Sequence, residues 1–242
     1  PQRRPHQQVN ADRPIEACEV RTPDELAPVD ALVIPGGEST TIGRLAVLYG
    51  LVDAIRARVD DGMPVLGTCA GMIFLAASTV EYDQPQLGVL DAVVRRNAFG
   101  RQVDSFETDL AVEGFEDPMH AVFIRAPWIV KVGADVETLA SVEDETGESH
   151  PVLVRQGRIL ATSFHPELTD DARLHAMLAE LVGSIEELRR RRVRKESTLD
   201  AEGAFEIADD GPAADDLVEQ DQDLERLARA LAAIRYACRL LI

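Results

Sequence analysis

The segment at residues 64–76, PVLGTCAGMIFLA, joins a short apolar strand to a helix through a sharp corner. The apolar run stops at Gly67, a cysteine follows at position 69, and helix-like apolar spacing begins after Gly71. Small neighbours let the backbone bend tightly, and such a corner holds a side chain exposed above the edge of a sheet. The segment therefore predicts an α/β fold with Cys69 at the carboxyl end of a strand.

Strand-like and helix-like segments alternate along most of the chain. The pattern predicts strands at 15–21, 31–35 and 64–68, a helix at 41–61 broken near Gly50, a helix at 70–78, β-like runs between 90 and 164, and a closing helix from 170 to about 188. This order predicts a three-layer α/β/α sandwich with a mixed, partly parallel sheet.

Composition divides the chain into three parts. Residues 1–14 are polar, residues 15–188 carry the alternating pattern, and residues 189–242 hold a basic block, an acidic segment and a final apolar stretch. The acidic segment is predicted to be a disordered linker. Helical spacing in the final stretch predicts an amphipathic helix, which packs on its own domain or on a partner. The positions that share this spacing are Leu224, Leu227, Leu231, Ile234 and Cys238.

Charge and cysteine content limit the classes of function. The formal net charge of −18 argues against nucleic-acid binding, because phosphates would be repelled. No run of about 18 apolar residues occurs, so no membrane-spanning segment is predicted. The three cysteines do not form a disulfide framework, which favours a reducing cytoplasm. No cluster of side chains has metal-ligand spacing, so no metal and no other cofactor is predicted.

Cys69 has candidate catalytic partners in the later segment ATSFHPELTDD. A cysteine nucleophile needs a base and a group that orients the base. His165 follows a strand-like run, and Pro166 favours an extended backbone in which Glu167 faces the same way as His165. A buried structural cysteine and a structural histidine are the alternatives. The combination of a cysteine corner with His165 and Glu167 favours catalysis.

The loop in VIPGGESTTIGRL is a second candidate for ligand contact. Gly36 and Gly37 allow a backbone to approach a ligand closely, and Glu38 with Ser39 begins a helix as a cap. A simple strand-to-helix turn is the alternative. No lysine follows the glycines, so a phosphate-binding loop is not predicted.

These motifs resemble the triad-type (class I) glutamine amidotransferases, which have a flavodoxin-like fold. The finer resemblance is to the glutaminase subunits of pyridoxal 5'-phosphate synthase. It extends from about residue 15 to residue 182 and is carried by PGGESTTIGRL, GTCAGMIFLA, RRNAFGRQVDSFE, FIRAP and SFHPELTDDARLH.

The resemblance implies hydrolysis of glutamine to glutamate and ammonia. Cys69 would form a thioester with the side-chain carbonyl, His165 would protonate ammonia and activate water, and Glu167 would orient His165. The implied glutamine-binding residues are Gly37, Glu38, Ser39, Arg96, Ile124 and Arg125. The two arginines suit a charged amino acid because guanidinium donates in a fork, although surface ion pairing would be the preferred interpretation without the family.

The resemblance also implies a protein partner. Ammonia would pass to a barrel-shaped synthase subunit, which combines it with a pentose phosphate and a triose phosphate to make pyridoxal 5'-phosphate. The glutaminase would be inactive until docked, in a twelve-plus-twelve assembly.

The first 14 residues depart from the family, whose members open with an apolar strand and a Gln-Gly loop. The first strand of the sheet is therefore expected to be missing or replaced. The chain would be a fragment, have a mis-called start or be a degraded copy. Three functions follow: an active glutaminase, a catalytically impaired docking module, or a different cysteine hydrolase of similar architecture. The tail from Glu196 to Ile242 is expected to be dispensable for turnover.

Overall fold

The computed structural model describes residues 15–81, 83–96, 98, 105–144, 146–183 and 234–237. Its helices are α1 (Pro23–Leu26), α2 (Ser39–Leu48), α3 (Leu51–Asp60), α4 (Ala70–Leu75) and α5, which begins at residue 173 and is described to residue 183. Its strands are β1 (Ile15–Cys18), β2 (Ala31–Ile34), β3 (Val65–Thr68), β4 (Ala76–Thr79), β5 (Leu90–Arg95), β6 (Ser105–Leu110), β7 (Met119–Ile124), β8 (Trp128–Val132), β9 (Glu137–Glu143), β10 (Ser149–Gln156), β11 (Ile159–Thr162) and β12 (Ile234–Ala237). Within the described residues, no helix has the length and apolar character needed to cross a membrane.

A seven-stranded sheet in the order β1-β12-β2-β3-β11-β10-β9 forms the centre of the fold. The first five of these strands run parallel, and β10 and β9 are antiparallel to their neighbours. Two smaller sheets, β4-β5-β8 and β6-β7, flank it. The predicted mixed, partly parallel sheet is confirmed.

The central strands are buried on both faces, as β2 illustrates. Its Leu32 and Ile34 belong to the core that includes residues of α2, α3 and α4, whereas its Ala31 and Val33 belong to the core that includes residues of α5 and β7. Alternate side chains of a strand point to opposite faces, so the sheet has a packed layer on each side. This is the predicted three-layer arrangement.

The structure agrees with one detail of the predicted helices and corrects another. The predicted break near Gly50 is present, since Gly50 has a φ of 69° and separates α2 from α3. The helix predicted at 70–78 ends earlier, at Leu75, and Ala76–Thr79 forms β4 instead. Pairing of β4 with β5 explains the difference, because a tertiary contact of this kind overrides local propensity.

The predicted C-terminal amphipathic helix is wrong at Ile234–Ala237, which form β12. This strand is parallel to β1 on one side and to β2 on the other. A short apolar run is compatible with both a helix and a strand, and the pairing partners decide between them. The rest of residues 189–242, and residues 1–14, lie outside the described part of the chain.

β12 also changes two other expectations. It occupies an interior position of the sheet, between β1 and β2, so a strand from the C-terminal part of the chain belongs to the central sheet. β1 has β12 as its pairing partner among the described strands. The expectation that the tail is dispensable is therefore not supported, because β12 connects β1 to the sheet.

Candidate active site

Cys69 occupies the corner between β3 and α4 in a strained backbone conformation. Its φ is 49° and its ψ is −104°, a combination that residues other than glycine rarely adopt. Its amide donates to the carbonyl of Thr162 at 2.7 Å. This hydrogen bond ties the corner to the end of β11, so Cys69 lies at the carboxyl ends of two adjacent parallel strands.

Two glycines allow the corner to form. A Cβ atom on Gly71 would lie 2.0 Å from the carbonyl oxygen of Ile34, and one on Gly67 would lie 2.5 Å from Cδ1 of Leu75. Both distances are far below van der Waals contact. The glycines therefore permit α4 to pack directly against β2 and β3, which explains the small residues on either side of Cys69.

His165 follows β11 and contacts both proposed partners. Its amide donates to the carbonyl of Val122 at 2.9 Å, its Nδ1 lies 2.7 Å from Oε1 of Glu167, and Cys69 lies close enough to the ring to raise the imidazole pKa. The predicted extended backbone is wrong, because Pro166–Leu168 form a 3-10 turn. The turn brings the carboxylate back to the imidazole, and proline suits its first position because its amide needs no partner there.

The imidazole of His165 is the centre of a charge network. Burial lowers its pKa, but hydrogen bonds with Cys69 and Glu167 outweigh burial and raise the pKa to about 10. Burial raises the pKa of Glu167, but the hydrogen bond from His165 outweighs it and lowers the pKa below its usual value. At neutral pH an imidazolium therefore lies between a carboxylate and the Cys69 sulfur.

The glycine loop after β2 packs against His165. A Cβ atom on Gly36 would lie 2.4 Å from Cε1 and 3.0 Å from Nδ1 of that ring. The space predicted to admit a ligand at Gly36 is therefore filled by the imidazole. Gly37 has a φ of 147°, which favours glycine. The pattern of two glycines was visible in the sequence, but the partner of the first one was not.

Glu38 caps α2 and holds Arg96. Its carboxylate accepts from the amides of Thr40 at 3.1 Å and Thr41 at 2.7 Å, so the predicted capping role is confirmed. Nη2 of Arg96 donates to Oε1 of Glu38 at 3.1 Å. Burial raises the pKa of Glu38, but hydrogen bonds from Thr41 and Thr40 lower it to about 2. The cap is therefore an anion that orients the guanidinium.

Ser39 and Arg96 meet at Gln84, which no sequence motif marks. Oε1 of Gln84 lies 3.2 Å from Oγ of Ser39 and 3.5 Å from Nη1 of Arg96. Gln84 lies in an irregular segment between β4 and β5. Its position depends on long-range folding, so the sequence carried no local signal for it.

Ile124 and Arg125 end the β7 strand and begin the loop after it. Ile124 is 39% exposed, and Arg125 has a φ of 41°. The carbonyl of the next residue, Ala126, accepts from the amide of Ala98 at 3.0 Å. The loops that carry Arg96 and Arg125 are therefore adjacent. Residues 97 and 99–104 of the same motif lie outside the described part of the chain.

The β9–β10 hairpin contains a group of side chains of the metal-ligand type. Ligand atoms of Asp144, Glu148 and His150 lie within 4.8 Å of one another. Oδ1 of Asp144 accepts from the amides of Thr146 and Glu148, and its Oδ2 lies 2.9 Å from Nε2 of His150. These contacts close the hairpin turn, so the group has a structural explanation.

Comparison with known proteins identifies close relatives. The profile of the SNO glutamine amidotransferase family matches residues 4–184. The pyridoxal 5'-phosphate synthase subunit PdxT of Parafrankia sp. (strain EAN1pec) is 58% identical over 172 residues, which cover 70% of this chain and 82% of that protein. PdxT of Thermus thermophilus is 58% identical over 171 residues, covering 70% and 86%. A crystal structure of a glutamine amidotransferase aligns with a TM-score of 0.65 at 57% identity, over 70% of this chain and 87% of that chain. The predicted resemblance and fold class are confirmed.

Proposed function

Because this chain belongs to the SNO glutamine amidotransferase family, we propose that it hydrolyses glutamine to glutamate and ammonia and supplies the ammonia to a pyridoxal 5'-phosphate synthase. One observation carries the proposal. His165 makes a 2.7 Å hydrogen bond with Glu167, and Cys69 is one of the groups that raise the pKa of His165, all within the residues that match the family. Sulfur, imidazole and carboxylate in this order are the groups that acyl transfer through a cysteine requires.

The first half-reaction releases ammonia. The sulfur of Cys69, which faces the imidazolium of His165, attacks the side-chain carbonyl carbon of glutamine. A carbon–sulfur bond forms, and the carbonyl electrons move onto oxygen. Collapse of this intermediate breaks the carbon–nitrogen bond while His165 donates its proton to the leaving nitrogen. Ammonia departs and a γ-glutamyl thioester remains on Cys69.

The second half-reaction restores the enzyme. Neutral His165 removes a proton from water, and the resulting hydroxide attacks the thioester carbonyl. The carbon–sulfur bond then breaks, glutamate leaves, and the sulfur again faces an imidazolium. Glu167 keeps Nδ1 of His165 oriented and stabilises its positive charge in both half-reactions.

The remaining candidate residues of the site bind the amino-acid end of glutamine in this proposal. They are Gly37, Glu38, Ser39, Arg96, Ile124 and Arg125. The guanidinium groups suit the α-carboxylate because each can donate two parallel hydrogen bonds. Glu38 acts chiefly through Arg96, since its own oxygens already accept from the start of α2 and from that arginine.

The proposed partner is the synthase subunit, in the twelve-plus-twelve assembly that the family resemblance implies. Docking would switch on glutamine hydrolysis and deliver ammonia without release to solvent. The alternative of an impaired docking module rests on the absence of an N-terminal apolar strand and a Gln-Gly loop from the first 14 residues. His165 is hydrogen-bonded to Glu167, Cys69 contributes to the raised pKa of His165, and the chain is 58% identical to PdxT subunits, so the active enzyme is the better-supported function.

The proposal is tested by measuring glutamine-dependent ammonia release with and without a pyridoxal 5'-phosphate synthase barrel subunit. The wild-type chain should release ammonia when the barrel subunit is present. Cys69→Ala should reduce release to the background rate, because no other group can form the thioester. Binding to the barrel subunit should remain.

Cys18→Ala is the matched control, since Cys18 is a free cysteine on β1 that contacts none of the three catalytic groups in the described contacts. It should keep wild-type turnover. An inactive wild-type chain in the complex, or turnover that survives in Cys69→Ala, would contradict the proposal. Esterase or peptidase activity in place of glutamine turnover would favour a different cysteine hydrolase.

A further inference from the structure

The segment 84–87, between β4 and β5, is anchored firmly although it has no regular structure. The amide of Leu87 donates to the carbonyl of Phe74 in α4 at 2.7 Å. Arg56 of α3 donates to the carbonyls of Gln86 at 3.0 Å and Leu87 at 2.8 Å. Hydrogen bonds with two helices, one accepting and one donating, therefore fix the backbone of this segment.

A third helix packs directly on the same segment. A Cβ atom on Gly43 of α2 would lie 2.4 Å from the carbonyl oxygen of Pro85. A side chain at position 43 would therefore force α2 and the loop apart. This close approach sets Gln84 beside the first turn of α2, where the recognition residue Ser39 lies.

Three donors converge on the side-chain carbonyl of Gln84. Its Oε1 accepts from Oγ of Ser39 at 3.2 Å, Oγ1 of Thr40 at 3.1 Å and Nη1 of Arg96 at 3.5 Å. Because a guanidinium can only donate, the oxygen of the amide must face Arg96. Nε2 of Gln84 is buried without a hydrogen-bond partner among the described residues, so the polar contacts of this side chain are those of its oxygen.

We propose that Gln84 is a positioning residue for the amino-acid end of glutamine, an inference that rests on the proposed function. Its carbonyl oxygen holds Ser39 and one nitrogen of Arg96 in place, while Glu38 holds the other nitrogen. Donors that are fixed before the substrate arrives lose less freedom on binding, which strengthens binding. Gln84 touches no reacting atom, so it should affect substrate affinity and not the chemical step.

The test is steady-state kinetics of the chain in complex with the barrel subunit. Gln84→Met keeps the length of the side chain but removes both polar atoms. We expect KM for glutamine to rise about 10- to 100-fold, with kcat changed by less than about 3-fold, because two or three hydrogen bonds are lost outside the reacting centre. Gln84→Glu restores the acceptor and should recover part of the affinity. Gln156→Met is the control, since Gln156 makes a similar hydrogen bond to the Asp91 amide outside the site and its loss should leave KM unchanged.

A second measurement separates positioning from a general structural role. A chloroketone analogue of glutamine should alkylate Cys69 about 10-fold more slowly in Gln84→Met, whereas iodoacetamide, which lacks the amino-acid group, should react at the wild-type rate. Equal slowing with both reagents would overturn the inference, as would wild-type KM in Gln84→Met or equal losses in the Met and Glu variants. A wild-type chain that releases no ammonia in the complex would instead overturn the proposed function, and this inference with it.

Discussion

The proposed catalytic side of the site (Cys69, His165 and Glu167) and its proposed recognition side (Glu38, Ser39, Gln84 and Arg96) are held by different kinds of contact. Around Cys69 and His165 the backbone fixes each group, through a strained corner and through Gly36, where a methyl group would overlap the imidazole. Around Arg96 the positions depend on the side-chain hydrogen bonds that its guanidinium donates to Glu38 and to Gln84. One side is built by packing and the other by a polar network.

This difference determines which substitutions each side can tolerate. Closely packed atoms cannot give way without moving a catalytic group, so a steric change should remove turnover. A hydrogen bond contributes only a modest net free energy, so its loss should weaken glutamine binding by degrees. The comparison therefore separates variants that lower kcat from variants that raise KM.

Gly36→Ala is the strongest test of the packed side. The new Cβ would force the His165 ring away from Cys69 or Glu167, and proton transfer in both half-reactions would fail. We expect kcat to fall about 10³- to 10⁴-fold. Thermal unfolding should change little, because a rotated ring relieves the overlap. Ammonia release in the complex and a melting curve measure the two quantities.

Gly183→Ala serves as the control for this variant. A Cβ on Gly183 meets no atom within 4 Å, so activity should be unchanged. If Gly36→Ala kept near-wild-type kcat, the catalytic side would be more adaptable than the recognition side, and the comparison would be reversed.

Glu167→Gln tests how much of the catalytic side depends on charge in addition to packing. The amide keeps the shape of the side chain but removes the charge that stabilises the imidazolium, so we expect kcat to fall about 10²- to 10³-fold. The pKa of His165 should fall from about 10 toward 6.5, because the carboxylate is one of the groups that raise it. Titration of the imidazole by NMR measures the change.

The same variant has a predictable effect on stability. The folded-state pKa of His165 lies above its ordinary value of 6.5, so the imidazolium stabilises the fold fully below pH 6.5 and loses this contribution as the pH rises toward 10. In Glu167→Gln the contribution should be smaller and its loss should be complete at a lower pH, which urea unfolding at several pH values would reveal. Glu137→Gln, which removes one carboxylate from an exposed ion pair with Arg155, should show neither effect. An unchanged His165 titration would show that packing alone sets the catalytic side.

The two sides also differ in how well the sequence predicts them. Cys69 was predictable because a strand, a small-residue corner and a helix are consecutive in the chain, and His165 and Glu167 are two residues apart. The backbone conformation between His165 and Glu167 was not predictable. The 3-10 turn at Pro166–Leu168 brings the two side chains into the same contact that an extended segment would give. The capping role of Glu38 is equally local, and it was predicted from position alone.

The sequence pattern could not predict which residues distant in the chain come together in the fold. Gln84 lies 45 residues after Ser39 and carries no motif, so its role depends on how α2 packs on an irregular loop. β12 is a second example. Its four residues fit helical and strand patterns equally, and only the pairing with β1 and β2 identifies them as a strand.

Glu38→Gln should have the smallest effect and tests the recognition side at its charged end. A glutamine side chain has a single acceptor oxygen. With that oxygen in the place of Oε1, the variant keeps the hydrogen bond from the Thr40 amide, loses those from Thr41, and replaces a charged hydrogen bond from Arg96 with a neutral one. That difference in hydrogen-bond energy at Arg96 is about 1 kcal/mol, so we expect KM for glutamine to rise about 3- to 10-fold with kcat nearly unchanged.

The pKa of Glu38 is lowered to about 2 from 4.5, so its carboxylate stabilises the fold above pH 4.5 and this contribution is lost as the pH falls toward 2. Thermal unfolding at pH 3 and pH 7 should therefore differ less in the variant than in the wild type. A loss of kcat as large as that of Gly36→Ala would mean that the polar network also fixes the positions of the catalytic groups. The two sides would then not be independent.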